Sequence, residues 1–380
     1  MKRDVALVLS GGGMNGILLE LGFLKRLQET SVWPRLSVVF GTSAGALSGC
    51  MAALGRLDEL EAFLLSLEPE DTFRANTLWR LPLLGSHDYV LPRTVGRRLG
   101  DPVALARELA RSPVELVVVV TDVTVSQGEL GGPQLFERAY SSRSTPPEEM
   151  AQAVLASAAI SVLVLPQVVG DRVATDGAWV RNYPLGYAYE RPEVELIVSF
   201  RYEPRYPVLG AGMIERAARR LRRLARLPAA RQLHRELEAA VARERRGQPA
   251  HIVDVFSRLS RVSIIRNTAL EELLASWRER SVAELAALRE DVAHLVAEAP
   301  IPEEERTRLL AAVEERFRRA CFPFRHDRVI PRITVSASAG PHSLEPGFPR
   351  QRPWTTEAKR ALIETGYQRA DEEIRRRGLG

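Results

Sequence analysis

The run VELVVVV, Val114 to Val120, is apolar at five successive positions from Leu116 onward. A strand with one face in water alternates apolar and polar residues. A continuous run of this length instead fits a strand covered on both faces, as in a parallel sheet flanked by helices. Other short runs repeat the signal: VALVLS from Val5, SVVF from Ser37, DRVATDGA from Asp171 and VELIVSF from Val194. Helical patterns separate them. From about Asn15, Ile17, Leu21, Leu24 and Leu27 form one stripe while Glu20, Lys25 and Gln28 fall off it. ALSGCMAALG reads as a second helix. PEEMAQAVLASAA reads as a third, started by a capping box from Thr145 to Glu148 with Pro146 at its first position. Strand and helix signals in alternation predict an α/β core, a mostly parallel central sheet flanked by helices, over residues 1–207.

After Pro207 the character changes. Residues 208–325 are mostly helical in pattern and rich in Ala, Leu, Arg and Glu, with breaks at Pro228, GQP and APIP. This stretch is expected to form a helical insertion or cap. RVIPRITVSA and a helix from about Thr355 then give a C-terminal strand and helix, residues 326–380, expected to pack back on the core. With 45% hydrophobic and 27% charged residues the chain reads as globular. No apolar run approaches the roughly 18–20 residues of a membrane-spanning helix. MKRDVALVLSGGG is too short in its apolar part for a secretory signal and is expected to be the first strand of a cytoplasmic protein. Two cysteines, Cys50 and Cys321, give no disulfide framework or zinc spacing and are expected to be core thiols.

The segment SGGGMNG carries Gly11, Gly13 and Gly16 at the spacing of a dinucleotide-binding loop. Such a loop needs an acidic residue at the end of the second strand, where this chain has none. The strand runs instead into VVFGTSAGALSG, where Gly41, Ser43 and Gly45 form G-x-S-x-G between a strand and a helix, the context of a nucleophile elbow. Gly11, Gly12 and Gly13 can then turn backbone N–H groups toward one point, as an oxyanion site requires. The six histidines lie in no compelling motif. Asp176, at a strand end and followed by Gly177, can bring a carboxylate to the C-terminal edge of the sheet where Ser43 emerges. Asp122, also at a strand end, reads as structural.

Together SGGGMNG, GTSAG and DGA, in that order, resemble the patatin-like phospholipase family over roughly residues 5–200, and ASAAI upstream of Asp176 is similar to the family as well. The resemblance implies a serine and aspartate dyad without histidine. Ser43 would be the nucleophile and Asp176 the base, Gly12 and Gly13, with Gly11, would supply oxyanion donors, and Gly16, Gly41, Gly45, Gly177 and Ala178 would complete the motifs. Met14 and Asn15 depart from the family, many of whose members carry a small and a basic residue there. The implied activity is hydrolysis of lipid acyl esters, phospholipid or lysophospholipid, with no metal or cofactor. Two other readings stand beside it: a dinucleotide-binding oxidoreductase using Gly11 to Gly16, and a lipid-binding protein without activity. Residues 213–231 hold seven arginines against Glu215. They read either as a cap helix or as a peripheral contact with an anionic inner membrane surface. Without interleaved aromatic residues, nucleic acid is not expected.

Overall fold

The structure, a computed structural model, describes residues 2–76, 87–124, 136–160, 163–204, 222, 228–246, 252–344 and 354–378. Most of the arginine-rich stretch 213–231 lies outside them. The strands are β1 (Val5–Leu9), β2 (Leu36–Thr42), β3 (Phe73–Ala75), β4 (His87–Tyr89), β5 (Glu115–Asp122), β6 (Glu137–Ser141), β7 (Gln167–Val169), β8 (Arg172–Asp176), β9 (Leu196–Tyr202) and β10 (Arg332–Ala337). Five of them run parallel in the order β10-β9-β1-β2-β5. The fold is α/β, with a mostly parallel central sheet flanked by helices. All of β1 and β5 is buried, as their unbroken apolar runs require.

Beyond β5 the sheet turns antiparallel, through β6, β8 and β7. The sequence pattern does not separate β6 or β7 from loop, and it places DRVATDGA in the sheet without a direction. Strand β2 pairs with Glu115 to Val119, β6 with Val117 to Thr121, and β8 with Val120 to Asp122. The Asp122 N–H reaches Phe136 on the β6 side, whereas the next N–H, that of Val123, reaches Val173 on the β8 side. Successive N–H groups of a strand point to opposite edges. Strands β2 and β8 therefore share one edge of β5 and meet there end to end.

One face of the sheet is covered by α1 (Gly13–Gln28), α2 (Ala44–Leu54), α3 (Leu57–Ser66) and α6 (Pro147–Ser157), with α4 (Leu91–Arg98) and α5 (Pro102–Arg111) beyond. The C-terminal α12 (Thr356–Arg376) lies on α1, so α1 is buried nearly all round. This corrects the expected one-sided stripe: Glu20 is buried too, and accepts a hydrogen bond from Ser48 of α2 at 2.6 Å. Burial pushes its carboxyl well above the ordinary range. Two other expectations are corrected. Helix α6 starts at Pro147, capped by Pro146 with no side-chain cap, so the box from Thr145 to Glu148 does not form. Cys50 is buried, but Cys321 is exposed, because the segment after α11 (Glu303–Arg319) runs along the surface.

The opposite face packs on α7 (Ala178–Arg181), α8 (Leu185–Tyr189) and the middle of the 47-residue α10 (Ile252–Glu298), which follows α9 (Pro228–Arg245). Ala275 of α10 enters the core formed with Val8, Phe40 and Tyr189. Ion pairs fasten the helix: Glu272 and Glu279 to Arg332, Arg278 to Glu190, Glu271 to Arg181. Its outward side carries exposed Leu259, Val262, Ile265, Leu270, Leu273, Leu274 and Trp277. No helix among the described residues is long and apolar enough to cross a membrane.

Lys359 of α12 is completely buried and donates to the carbonyls of Leu65 in the last turn of α3 and of Leu67 just after it, satisfying acceptors that a helix C-terminus leaves open. Lys359→Met keeps the stem and removes both donors. Urea unfolding should show a loss of about 1–3 kcal/mol, the cost of stranding buried acceptors.

Candidate active site

Strand β2 ends at Thr42 and α2 begins at Ala44, so Ser43 alone must reverse the chain. It does so at φ 54° and ψ −118°, the sole positive φ outside glycine among the described residues. A side chain held there costs about 1–3 kcal/mol, which neighbouring contacts must offset. The Ser43 N–H donates to Ser157 Oγ at 2.8 Å, and the Ser157 hydroxyl donates to Val119 O at 2.7 Å. That buried hydroxyl ties the turn to β5. The two motif glycines make the turn sterically feasible. A Cβ on Gly41 would fall 2.2 Å from Gly45 O, and one on Gly45 would fall 2.5 Å from Leu9 O.

Asp176 closes β8 where that strand meets the end of β2. The Ser43 hydroxyl donates to Asp176 Oδ2 at 2.8 Å, and the Ala178 N–H donates to Oδ1 at 2.8 Å. The backbone is held as well, by Asp176 N–H to Ala159 O at 3.1 Å and by the Thr121 hydroxyl to Asp176 O at 2.7 Å. Ser43 and Asp176 are buried, at 6% and 4% exposure. Loss of hydration raises the Asp176 carboxyl to about 6, against the opposing pull of the Ala178 and Ser43 hydrogen bonds. The acid partner of Ser43 Oγ among the described residues is thus an aspartate rather than a histidine.

The glycine loop abuts the same point. Helix α1 begins at Gly13, itself at φ 56°, with Gly12 as its N-cap. Its first N–H groups have no acceptors within the helix. The Gly11 N–H is committed to Asn182 O at 2.9 Å, which leaves Gly12 and Gly13 as the loop's candidate donors. A Cβ on Gly11 would meet Ser43 Cβ at 3.1 Å, so the loop lies against the serine. Gly16 has room: the nearest atom to an added Cβ is 3.7 Å away. A dinucleotide loop uses its third glycine for close helix-strand contact, which is not needed here. Asn15 is turned inward, donating to Ser343 Oγ at 2.9 Å and accepting from Leu344 N–H at 2.8 Å, so the position that departs from the family anchors a distant loop. Asp122 holds Thr124 N–H at 2.9 Å and pairs with Arg138, a structural placement. Gly177 sits where a Cβ would strike Val119 O at 2.2 Å.

The residues that sequence reasoning left without a role are Ser157 and Asn182. ASAAI marked the first, but nothing local shows that its hydroxyl reaches Ser43.

Sheet and turn define an α/β protein with a serine raised on a strand-to-helix elbow. Residues 7–189 match the family model described as patatin-like phospholipase. That segment, a little under half of the chain, is matched as a patatin-like phospholipase domain, the domain of a family of lipid acyl hydrolases. Among solved structures, the crystal structure of VipD from Legionella pneumophila is similar, with 16% sequence identity, a TM-score of 0.43, and coverage of 99% of this chain and 67% of that one. No curated protein matches the chain.

Removing the Ser157 hydroxyl strands the buried Ser43 N–H and frees Val119 O. Ser157→Ala should lose about 1–3 kcal/mol in urea unfolding. It should also slow labelling of Ser43 by a fluorophosphonate, followed by mass spectrometry. Unchanged labelling would mean the elbow holds its shape unaided.

Proposed function

We propose that the protein hydrolyses lipid-borne carboxylic esters through Ser43 and Asp176, without a metal or cofactor. The observation that carries this reading is the 2.8 Å hydrogen bond from Ser43 Oγ, on its strained turn, to a buried Asp176 Oδ2. Ser43 Oγ attacks the ester carbonyl carbon while its proton passes to Asp176 Oδ2. The carbonyl oxygen becomes an oxyanion held by the Gly12 and Gly13 N–H groups. Collapse of the intermediate breaks the bond to the leaving alcohol, whose oxygen takes the proton from Asp176. Water then attacks the acyl-enzyme, gives a proton to Asp176, and the proton returns to Ser43 as the acid leaves. A carboxylate near 3.8 would be a weak base for this task; burial brings it closer to working pH.

Contact with a lipid surface is supported by the outward side of α10. Between Leu259 and Arg280 its exposed charged residues are Arg266 and Arg280, while Glu271, Glu272 and Glu279 are turned inward to arginine partners. Apolar side chains flanked by cations suit an anionic bilayer interface.

Ser43→Ala and Asp176→Asn should each abolish turnover of a soluble p-nitrophenyl ester and of vesicle phospholipid; turnover that survives Ser43→Ala ends this reading. Because the base must be ionised, kcat/KM should fall about tenfold per pH unit below about 6. Stability moves the other way. The carboxyl binds its proton more tightly folded, to about 6, than unfolded, near 3.8, so stability declines as pH rises between those values. Asp176→Asn removes that penalty and should unfold later than wild type at pH 8, by up to about 3 kcal/mol, with the difference vanishing near pH 4. For the lipid surface, Leu270→Glu with Trp277→Glu should cut sedimentation with phosphatidylglycerol vesicles several-fold while leaving soluble ester turnover intact. Equal sedimentation of the double variant would remove α10 from the interface.

A further inference from the structure

Helix α10 lies outside the 7–189 segment, yet one stretch of it grips the loop directly behind the dyad. Asn267 Oδ1 accepts the Asn182 N–H at 3.1 Å, and Asn267 Nδ2 donates to Ala178 O at 2.7 Å. One turn along, Glu271 accepts the Gly186 N–H at 3.0 Å and pairs with Arg181 at 2.6 Å. Thr268 gives its hydroxyl proton to Ile264 O at 2.9 Å, so toward Asn182 it can act only as an acceptor, and Asn182 Nδ2 donates to it at 3.0 Å. The Asn182 amide therefore has one orientation.

Both atoms that Asn267 holds lead into the site. Ala178, fixed through its carbonyl, uses its N–H on Asp176 Oδ1. Asn182, fixed through its N–H, uses its carbonyl to hold the Gly11 N–H at the start of the glycine loop. A single side chain thus sets the spacing between the carboxylate and the oxyanion loop. An amide is needed for this, since it must accept at one atom and donate at the other; a carboxylate would face Ala178 O with no proton to give.

We infer that Asn267 is a positioning residue of the catalytic site, supported by Thr268, and that α10 completes the site. The inference rests on the Ser43 and Asp176 reading. Loosening Ala178 weakens the hydrogen bond that favours ionised Asp176, so the group should ionise at higher pH. Misplacing groups by a fraction of an ångström acts on the chemical step more than on ground-state binding.

The test compares Asn267→Ala, Asn267→Asp, Thr268→Val and the conservative Thr268→Ser on a soluble p-nitrophenyl ester, with thermal unfolding measured in parallel. The two Asn267 variants should lose about tenfold or more in kcat with little change in KM, and their acid limb should move to higher pH. Thr268→Val should show a smaller loss that Thr268→Ser restores. Folded variants with wild-type kcat and an unshifted limb would overturn the inference, leaving the contacts merely structural. Should Asn267→Ala not fold, Asn267→Asp and Thr268→Val carry the same two outcomes. Ser43→Ala in the same assay separates the failures: if it is silent while the Asn267 variants behave as wild type, only the positioning role falls, whereas residual turnover in Ser43→Ala removes the dyad itself.

Discussion

Two strands arriving on one edge of a third decide where this protein can do chemistry. Strand β2 occupies that edge of β5 as far as Val119, and β8 takes over from Val120 in the opposite direction. Their C-termini must meet, and at the meeting point β2 runs straight into Ser43 while β8 ends in Asp176. The residues are 133 apart in sequence, yet the ladder hydrogen bonds bring them into contact. Because neither strand can continue through the other, each must turn away at once. That is why Ser43 takes a strained conformation and why Gly177 follows Asp176 against Val119 O with no space for a side chain. Strain and close packing are thus consequences of the pairing.

The interior around this junction treats its polar groups unequally. Ser157 and Thr121 are buried with hydrogen bonds to backbone carbonyls, so their desolvation is offset. Asp176 has two donors, from Ala178 and Ser43, yet burial still outweighs them and its proton affinity rises. Glu20 has a single partner for one oxygen and none for the other, and burial drives it in the same direction. A carboxyl with incomplete compensation is a cost to the fold. At Asp176 the cost coincides with what a base near neutral pH requires.

Much of this was legible in the residues. Continuous apolar runs at Val5 and Leu116 announce strands covered on both faces, and G-x-S-x-G between a strand and a helix announces the elbow. The antiparallel direction of β8 was not legible, because a five-residue strand carries the same alternation whichever way it runs. Nor was the burial of Glu20: its partner Ser48 comes from α2, while α12, more than three hundred residues on, closes over the Leu19 and Gly22 side of the same helix. Cys321 shows the reverse error, since a small apolar residue flanked by Ala320 and Phe322 has no local mark of exposure.

By itself, then, the sequence determined the strands and helices of the parallel core and the three short motifs, since these follow from side-chain period, backbone chirality and the steric demands of glycine, all local properties. Only the tertiary structure decided that the Gly11 N–H is spent on Asn182, that Ser157 holds the elbow, and that Asn267 and Thr268 of a distant helix brace the loop after Asp176. Those roles depend on which groups arrive within about 3 Å of one another after folding, and hydrogen-bond reach of that kind leaves no periodic trace along the chain.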